Sequence, residues 1–411
     1  MLAGSRWRIS ASVVWVAGLV LTGCVTIRTE KVDSTPAVYA EQNIPEELLL
    51  DIGIQVFDPG VEDPEALKKE GSQPDIREAE ARYIAIHLRN TLQLTGHWGA
   101  VRVTPARADN VDVSVVGTIV KSNGKELVVE VAAREATGTV WFRKRYKAQA
   151  KPAAYATAQK GYSDPYQDLY NAIGNDLVEY KARLSPSDVR RIHNVAKLKF
   201  AADLAPEAFT GYLSTNSEGV DEIVRLPSEA DPMLQRVLRV RERDDMFVDT
   251  VNEYYGRYYD DMWEPYLNWR RSYLEEDEAK RAIQAKGRNR ALLGIASILG
   301  AIAYELAAGQ NTSSTATNVM VIGGAAAIKS GLDKYKDARI HAEAIEELGQ
   351  SFGADVAPVV MEVEGHVVKL KGSAEQQYEE WRRLLRAIFL SETGFRVPTP
   401  PPAANPNSLS Q

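Results

Sequence analysis

The chain has 411 residues, 45% of them hydrophobic, with 56 acidic residues against 49 basic ones and a formal net charge of −7. That balance argues against a nucleic-acid partner, because such affinity rests on positive charge laid against phosphates. The length suits two or three domains, and a single cysteine leaves no disulfide to staple them.

Arg6 and Arg8 precede an apolar run over residues 9–20. A basic start, a short apolar core and small residues after it are the layout of a secretory signal peptide, and the run is too short to span a bilayer. Leu21-Thr22-Gly23-Cys24 follows. These four residues resemble a bacterial lipobox. The resemblance implies removal of residues 1–23 and lipidation of Cys24, the chain's one thiol. In lipoproteins of Gram-negative bacteria, Asp after the cysteine favours inner-membrane retention. Val25 stands there instead, which implies a periplasm-facing anchor on the outer membrane. Residues 24–47 read as a polar, lipidated tether.

Residues 48–184 read as a first folded unit. A buried strand over 49–57 ends at Asp58-Pro59-Gly60. A helix follows over 75–94, where Ala81, Ile84, Ala85, Leu88 and Leu92 recur on one face, and Gly96 stops it. Strands are expected at 100–104, 111–120, 127–133 and 140–146. Val111, Val113, Val115, Gly117 and Ile119 alternate on one face of the second of these, as do Leu127, Val129, Val131 and Ala133 on the third. Period two means a sheet with one face buried, and the helix is its natural cover. Asn123-Gly124 and Thr137-Gly138 supply turns, and a second helix closes the unit over 165–184.

This order resembles a periplasmic α+β family. It includes the amino-terminal domain of the Tol–Pal propeller protein, the curli secretion lipoprotein and lipoprotein activators of penicillin-binding proteins. Asp112-Val113-Ser114-Val115-Val116-Gly117-Thr118-Ile119 looks like the family's strand into Gly-Thr-Ile. Ala133-Arg134-Glu135-Ala136-Thr137-Gly138-Thr139-Val140-Trp141 looks like its hairpin turn. The likeness covers a third of the chain and implies a domain that binds partners and does not catalyse. The membrane-hairpin strands of the curli channel have no counterpart here, which argues against a curli-type pore.

Residues 185–350 read as a helical domain. Ser185-Pro186-Ser187-Asp188 is a capped helix start. Phe247, Val251, Tyr254, Tyr258, Met262 and Trp269 recur at helical spacing, flanked by Tyr255, Tyr259, Tyr266 and Tyr273. The stripe reads as a helix–helix core, with a sugar-stacking platform for peptidoglycan as the competing reading. Pro265 is expected to kink or break this helix near Glu264. A basic flank from Lys280 to Arg290 then leads into a small-residue helical hairpin over 291–331, with Ala296 and Gly300, and Gly323, Ala327 and Gly331, each four apart. Such spacing lets helices approach closely. Uninterrupted apolar lengths are fourteen residues (291–304) and ten (319–328), against roughly 20 for a span. A buried hairpin or a self-association face is therefore favoured, and membrane insertion is the alternative.

Residues 351–396 read as a β-hairpin through Glu364-Gly365-His366 plus a helix carrying Tyr378, Trp381, Leu385 and Ile388 on one stripe. Residues 397–411 are a disordered Pro-rich tail. No catalytic constellation appears. His87, His97, His193, His341 and His366 form no metal-spaced cluster, and there is no nucleophile elbow or P-loop. The run from Glu275 to Glu278 and the pair Asp260-Asp261 read as solvated faces.

The expected architecture is α+β: an amino-terminal antiparallel sheet packed with helices, then a mainly helical region and a short C-terminal hairpin plus helix. The expected role is a non-enzymatic outer-membrane lipoprotein, an envelope assembly, scaffold or accessory factor. It would contact an unknown envelope protein and self-associate, with no metal and no cofactor beyond the lipid on Cys24. The alternatives are a membrane-inserting oligomeric secretion or pore component acting through 291–331, and a peptidoglycan-binding or peptidoglycan-active protein.

Overall fold

A computed structural model describes residues 27–61, 63, 67, 73–105, 111–307, 340, 342–347, 350, 360–363 and 366–394. Cys24, the second arm of the 291–331 hairpin and the tail 397–411 lie outside them.

The first structured element is a three-residue strand, β1 (Thr29–Lys31). Strand β2 (Ile52–Gln55) follows, then helix α1 (Pro74–Leu94) and strand β3 (Val101–Thr104). Strands β4 (Val113–Ser122), β5 (Glu126–Glu135) and β6 (Val140–Gln149) make an antiparallel meander. One six-stranded sheet results, in the order β1-β6-β5-β4-β2-β3. The fold is α+β as expected, and its sheet is mixed. The meander is antiparallel, β2 lies parallel between β4 and β3, and β1 runs parallel to β6. Alternation along a strand fixes which face is buried but carries no information on direction. The long β2–α1–β3 connection permits parallel pairing where a tight turn does not.

The inward side chains are those that alternate in the sequence. Ile52, Ile54, Val101, Val103, Val113, Val115, Ile119, Val129, Val131 and Tyr146 are essentially inaccessible. Helices α1, α2 (Pro152–Ala156) and α3 (Gln167–Lys181) contribute to the same core. Gly117 is required for packing. A Cβ there would sit 2.3 Å from the ring of Phe57, which itself is 1% exposed.

Residues 29–40, within the segment read as a tether, are tied to this body. Beyond β1 the chain crosses α3. Backbone N–H groups of Thr35 and Val38 donate to Asp168 and Asn175 at 2.7 and 2.9 Å. The amides of Asn171 and Asn175 donate to the carbonyls of Thr35 and Pro36. Polar residues three to four apart on one helical face thus make a ladder for an extended chain.

Helix α4 (Pro186–Leu204) has the expected capped start, which the structure shows as a capping box between Ser185 and Asp188. A short helix α5 (Pro206–Phe209) and a small hairpin, β7 (Leu213–Thr215) and β8 (Asp221–Ile223), lead to the longest element. Helix α6 spans Pro232–Ala307, 76 residues, or about 114 Å at 1.5 Å per residue. The break expected at Pro265 is absent: the helix runs through it. An internal proline costs about 3 kcal/mol. Met262, Trp263, Tyr266 and Trp269 around it are all under 9% exposed, and each such burial returns about 1.5–3 kcal/mol. The aromatic helix and the first apolar arm at 291–307 are therefore one helix. The aromatic stripe is core, with Phe247, Val251, Tyr255, Tyr258, Tyr259 and Tyr266 all buried.

Strands β9 (Val360–Val363) and β10 (His366–Lys369) form the expected hairpin. Helix α7 (Ala374–Thr393) carries a second capping box, Ser373 with Gln376. Trp381 of α7 stacks on Phe247 of α6 with ring centroids 5.2 Å apart. One hydrophobic cluster runs from Val32 to Phe389. Among the described residues no helix is long and apolar enough to cross a membrane.

Candidate functional site

A set of buried ionisable groups converges where α6 sits on the sheet layer. Helix α1 offers Arg77, Glu80, Tyr83 and His87 from one side, at helical spacing. Helix α6 offers Tyr259, Tyr266 and Arg270 from the other. Between them, Arg270 grips Asp164 with both terminal nitrogens, at 3.0 and 2.7 Å, and both side chains are fully buried. Asp164 also accepts from the Tyr83 hydroxyl at 3.0 Å and the Tyr166 N–H at 2.9 Å. The Arg270 guanidinium lies 3.9 Å from the centre of the Tyr266 ring, within cation–π range. Glu80 accepts from Ser122 at 2.6 Å and Tyr266 at 2.8 Å, beside Arg77 at 3.3 Å.

The β4–β5 turn enters this joint through its glycine. A Cβ on Gly124 would meet the Arg270 carbonyl at 1.8 Å, so only a bare backbone fits under α6. Tyr155 and Tyr166 hydroxyls donate to the Gly124 and Asn123 carbonyls, at 2.5 Å each, and clamp the turn from below.

The electrostatics follow from partner geometry. Burial alone would raise the Asp164 carboxyl, but the bidentate Arg270 and the backbone donor hold it below its usual value. Arg270, which burial would depress, is held up by Asp164. Burial dominates at Glu80 and raises it against Arg77, Ser122 and Tyr266. Burial likewise lowers His87, leaving a neutral imidazole at pH 7. Its tautomer can be read from its neighbours. Gln167 spends its amide nitrogen on Thr91 and Asn171, so its oxygen accepts from His87 Nε2 at 2.8 Å. Nδ1 then accepts from the Tyr259 hydroxyl at 2.8 Å.

Chemically this is a joint. Both nitrogens of His87 and both oxygens of Asp164 are occupied by protein groups, and His87 is 1% exposed. A general base needs a proton within reach on a substrate, and nothing from solvent reaches these atoms. Cys24 lies outside the described residues. His193 Nδ1 sits 3.0 Å from Asp112, tying α4 to β4. His97 borders a surface cleft. Asp260 pairs with Lys160 on a solvated face, whereas Asp277, expected on one, is half-buried between Lys125 and Arg281. Among the described residues no group of three or more His, Cys, Asp or Glu is placed to hold a metal.

Pattern reading missed Arg77, Glu80, Asp164 and Arg270. Three of the four carried a usable signal, because they interrupt apolar helical faces, Arg77 and Glu80 between Ile76 and Ile84, and Arg270 beside Trp269. A charge on a core-facing stripe requires a partner. No model of a known protein family matches the chain, and no curated protein matches it.

Proposed function

We propose that the protein is a non-enzymatic lipoprotein scaffold or accessory factor of the bacterial envelope, anchored through a lipid on Cys24 and acting through protein–protein contacts. The observation that carries this reading is the sealing of its acid–base groups. The residues that resemble catalytic machinery are consumed in seating α6 on the sheet layer, as a rigid joint requires. The outer face of the sheet supports the same reading. Val116 and Val120 are 37% and 41% exposed on β4, beside a hollow of about 250 Å3 lined by Asp58, Thr118, Glu130 and Arg143. With β1 beginning at Thr29, a lipid on Cys24 would hold this body close to the membrane surface. Past Asp277, its contact with Lys125, α6 continues through the basic flank into the apolar stretch to Ala307. There we place self-association, or docking on a neighbour.

The test has three arms. Azido-fatty-acid labelling should mark the wild type and not Cys24→Ala. Cross-linking and mass spectrometry on cells should return a reproducible envelope partner. Incubation of the soluble form with sacculi should release nothing, and muropeptide release would overturn the proposal in favour of a peptidoglycan-active protein.

A further inference from the structure

A second polar feature lies apart from the joint, at the far end of α3. Val178 and Lys181 of α3, Ala182 and Leu184 after it, and Val189 of α4 face Ile44, Leu48 and His97 across a surface cleft of about 260 Å3. The lining is apolar except for Lys181 and His97. Lys181 is half-buried there, and burial alone lowers it to about 8. Among the described residues no carboxylate offsets that cost, in contrast to Lys144, Lys147 and Lys199 of the same body, which pair with Asp176, Glu126 and Asp221. The Lys181 ammonium donates to the His97 carbonyl and lies 5.2 Å from the centre of the Trp98 ring. An ammonium carries three donors, so donor capacity remains. Next to it, His97 Nε2 is buried without a hydrogen-bond partner among the described residues.

A cation held in an apolar hollow without a counter-charge is complementary to an anion attached to an apolar group. The volume selects among such ligands. Sites for drug-sized molecules run from about 300 to 1,000 Å3, so this cleft suits one apolar side chain with its carboxylate and is small for a long acyl chain. Capture of a chain terminus is an established mode of peptide recognition. We propose that the cleft binds the free carboxyl terminus of a partner polypeptide ending in an apolar residue. The carboxylate would lie on Lys181 and the terminal side chain among Leu48, Val178, Leu184 and Val189. The inference rests on the partner-binding reading above and names where and how one partner is held.

The experiment is fluorescence polarisation on the soluble protein with fluorescein-labelled Gly-Ser-Ala-Leu-Leu as the free acid and as the C-terminal amide, with dodecanoate as competitor. The free acid should bind saturably and the amide at least tenfold more weakly. Lys181→Met should lose the same factor while keeping its circular dichroism spectrum, and Lys181→Arg should recover part of it. Equal binding of acid and amide, indifference to Lys181→Met, or no saturation by the free acid up to millimolar concentration would each overturn the proposal. Lys181-dependent binding of dodecanoate without binding of the peptide would overturn it in favour of a fatty-acid site. Cellular cross-linking keeps the two proposals apart. A partner captured equally by wild type and Lys181→Met defeats only the cleft, and no partner for either defeats the scaffold reading itself.

Discussion

Two buried aspartates hold helix α6, and they behave in opposite ways. Asp164 and Asp244 are both 3% exposed, and each faces an arginine. Asp164 is held below its usual value, whereas burial pushes Asp244 up to about 6 against the pull of Arg382. Geometry separates them. Arg270 engages both oxygens of Asp164, with two further donors behind it. Arg382 gives Asp244 one bond at 3.1 Å and its other terminal nitrogen to Asp203, and the Tyr378 hydroxyl reaches the same Asp244 oxygen only at 3.5 Å. Asp244 Oδ1 has no hydrogen-bond partner among the described residues, and the neighbouring Asp245 carboxylate raises it further. Burial sets the penalty on a charge, and partner count decides whether that penalty is met. The middle of α6 is locked, and its amino-terminal half rests on a contact that pH can loosen.

The largest effect is expected at Asp164, the locked side of the contrast. Asp164→Asn leaves Arg270 charged and buried without its counter-ion, a loss of about 3–5 kcal/mol, readable in urea unfolding at pH 7. Replacing both partners with apolar residues should cost less than either single change.

The opposite sign is expected at Asp244. Its folded value is raised, so its carboxyl stabilises the fold while protonated. That contribution is complete below the ordinary 3.8 and is lost as pH rises through about 6. Asp244→Asn should match wild type near pH 4 and exceed it at pH 7 by roughly 1–3 kcal/mol, because each tenfold change in proton affinity is worth about 1.4 kcal/mol. Melting curves from pH 4 to 7 that stay parallel for the two proteins would erase the difference between the two aspartates.

The backbone of the joint offers the next test. Gly124→Ala forces the turn away from the Arg270 carbonyl, and overpacking of this kind costs about 1–3 kcal/mol. An unchanged melting temperature would show that the turn yields freely.

The smallest effect belongs to the sheet edge. Asn252 of α6 accepts from the Val103 N–H at 2.8 Å and donates to the Val103 carbonyl at 2.9 Å, closing the β3 edge as a neighbouring strand would. Asn252→Ala should cost about 1 kcal/mol for each net bond lost. Hydrogen exchange should show β3 losing protection before β5.

Sequence and fold meet differently in the two regions. Local pattern was enough for the inward faces of β4 and β5, the helices α1 and α3, the capped helix start at Ser185, and the burial of the aromatic stripe. Each is a local pattern, fixed by the 2.0 and 3.6 repeats of the chain itself. Strand direction was not legible, because Ile52 and Ile54 look the same from a parallel or an antiparallel partner. Nor was the passage of α6 through Pro265, since the local rule was outweighed by rings packed from elsewhere. The joint was the least legible part. Arg270 and Asp164 lie 106 positions apart, and no local pattern links residues at that separation. The sequence by itself determined which faces are apolar and where helices begin. Only the tertiary structure decided which buried charge meets which, because desolvation and pairing act between chain segments that the fold alone brings together.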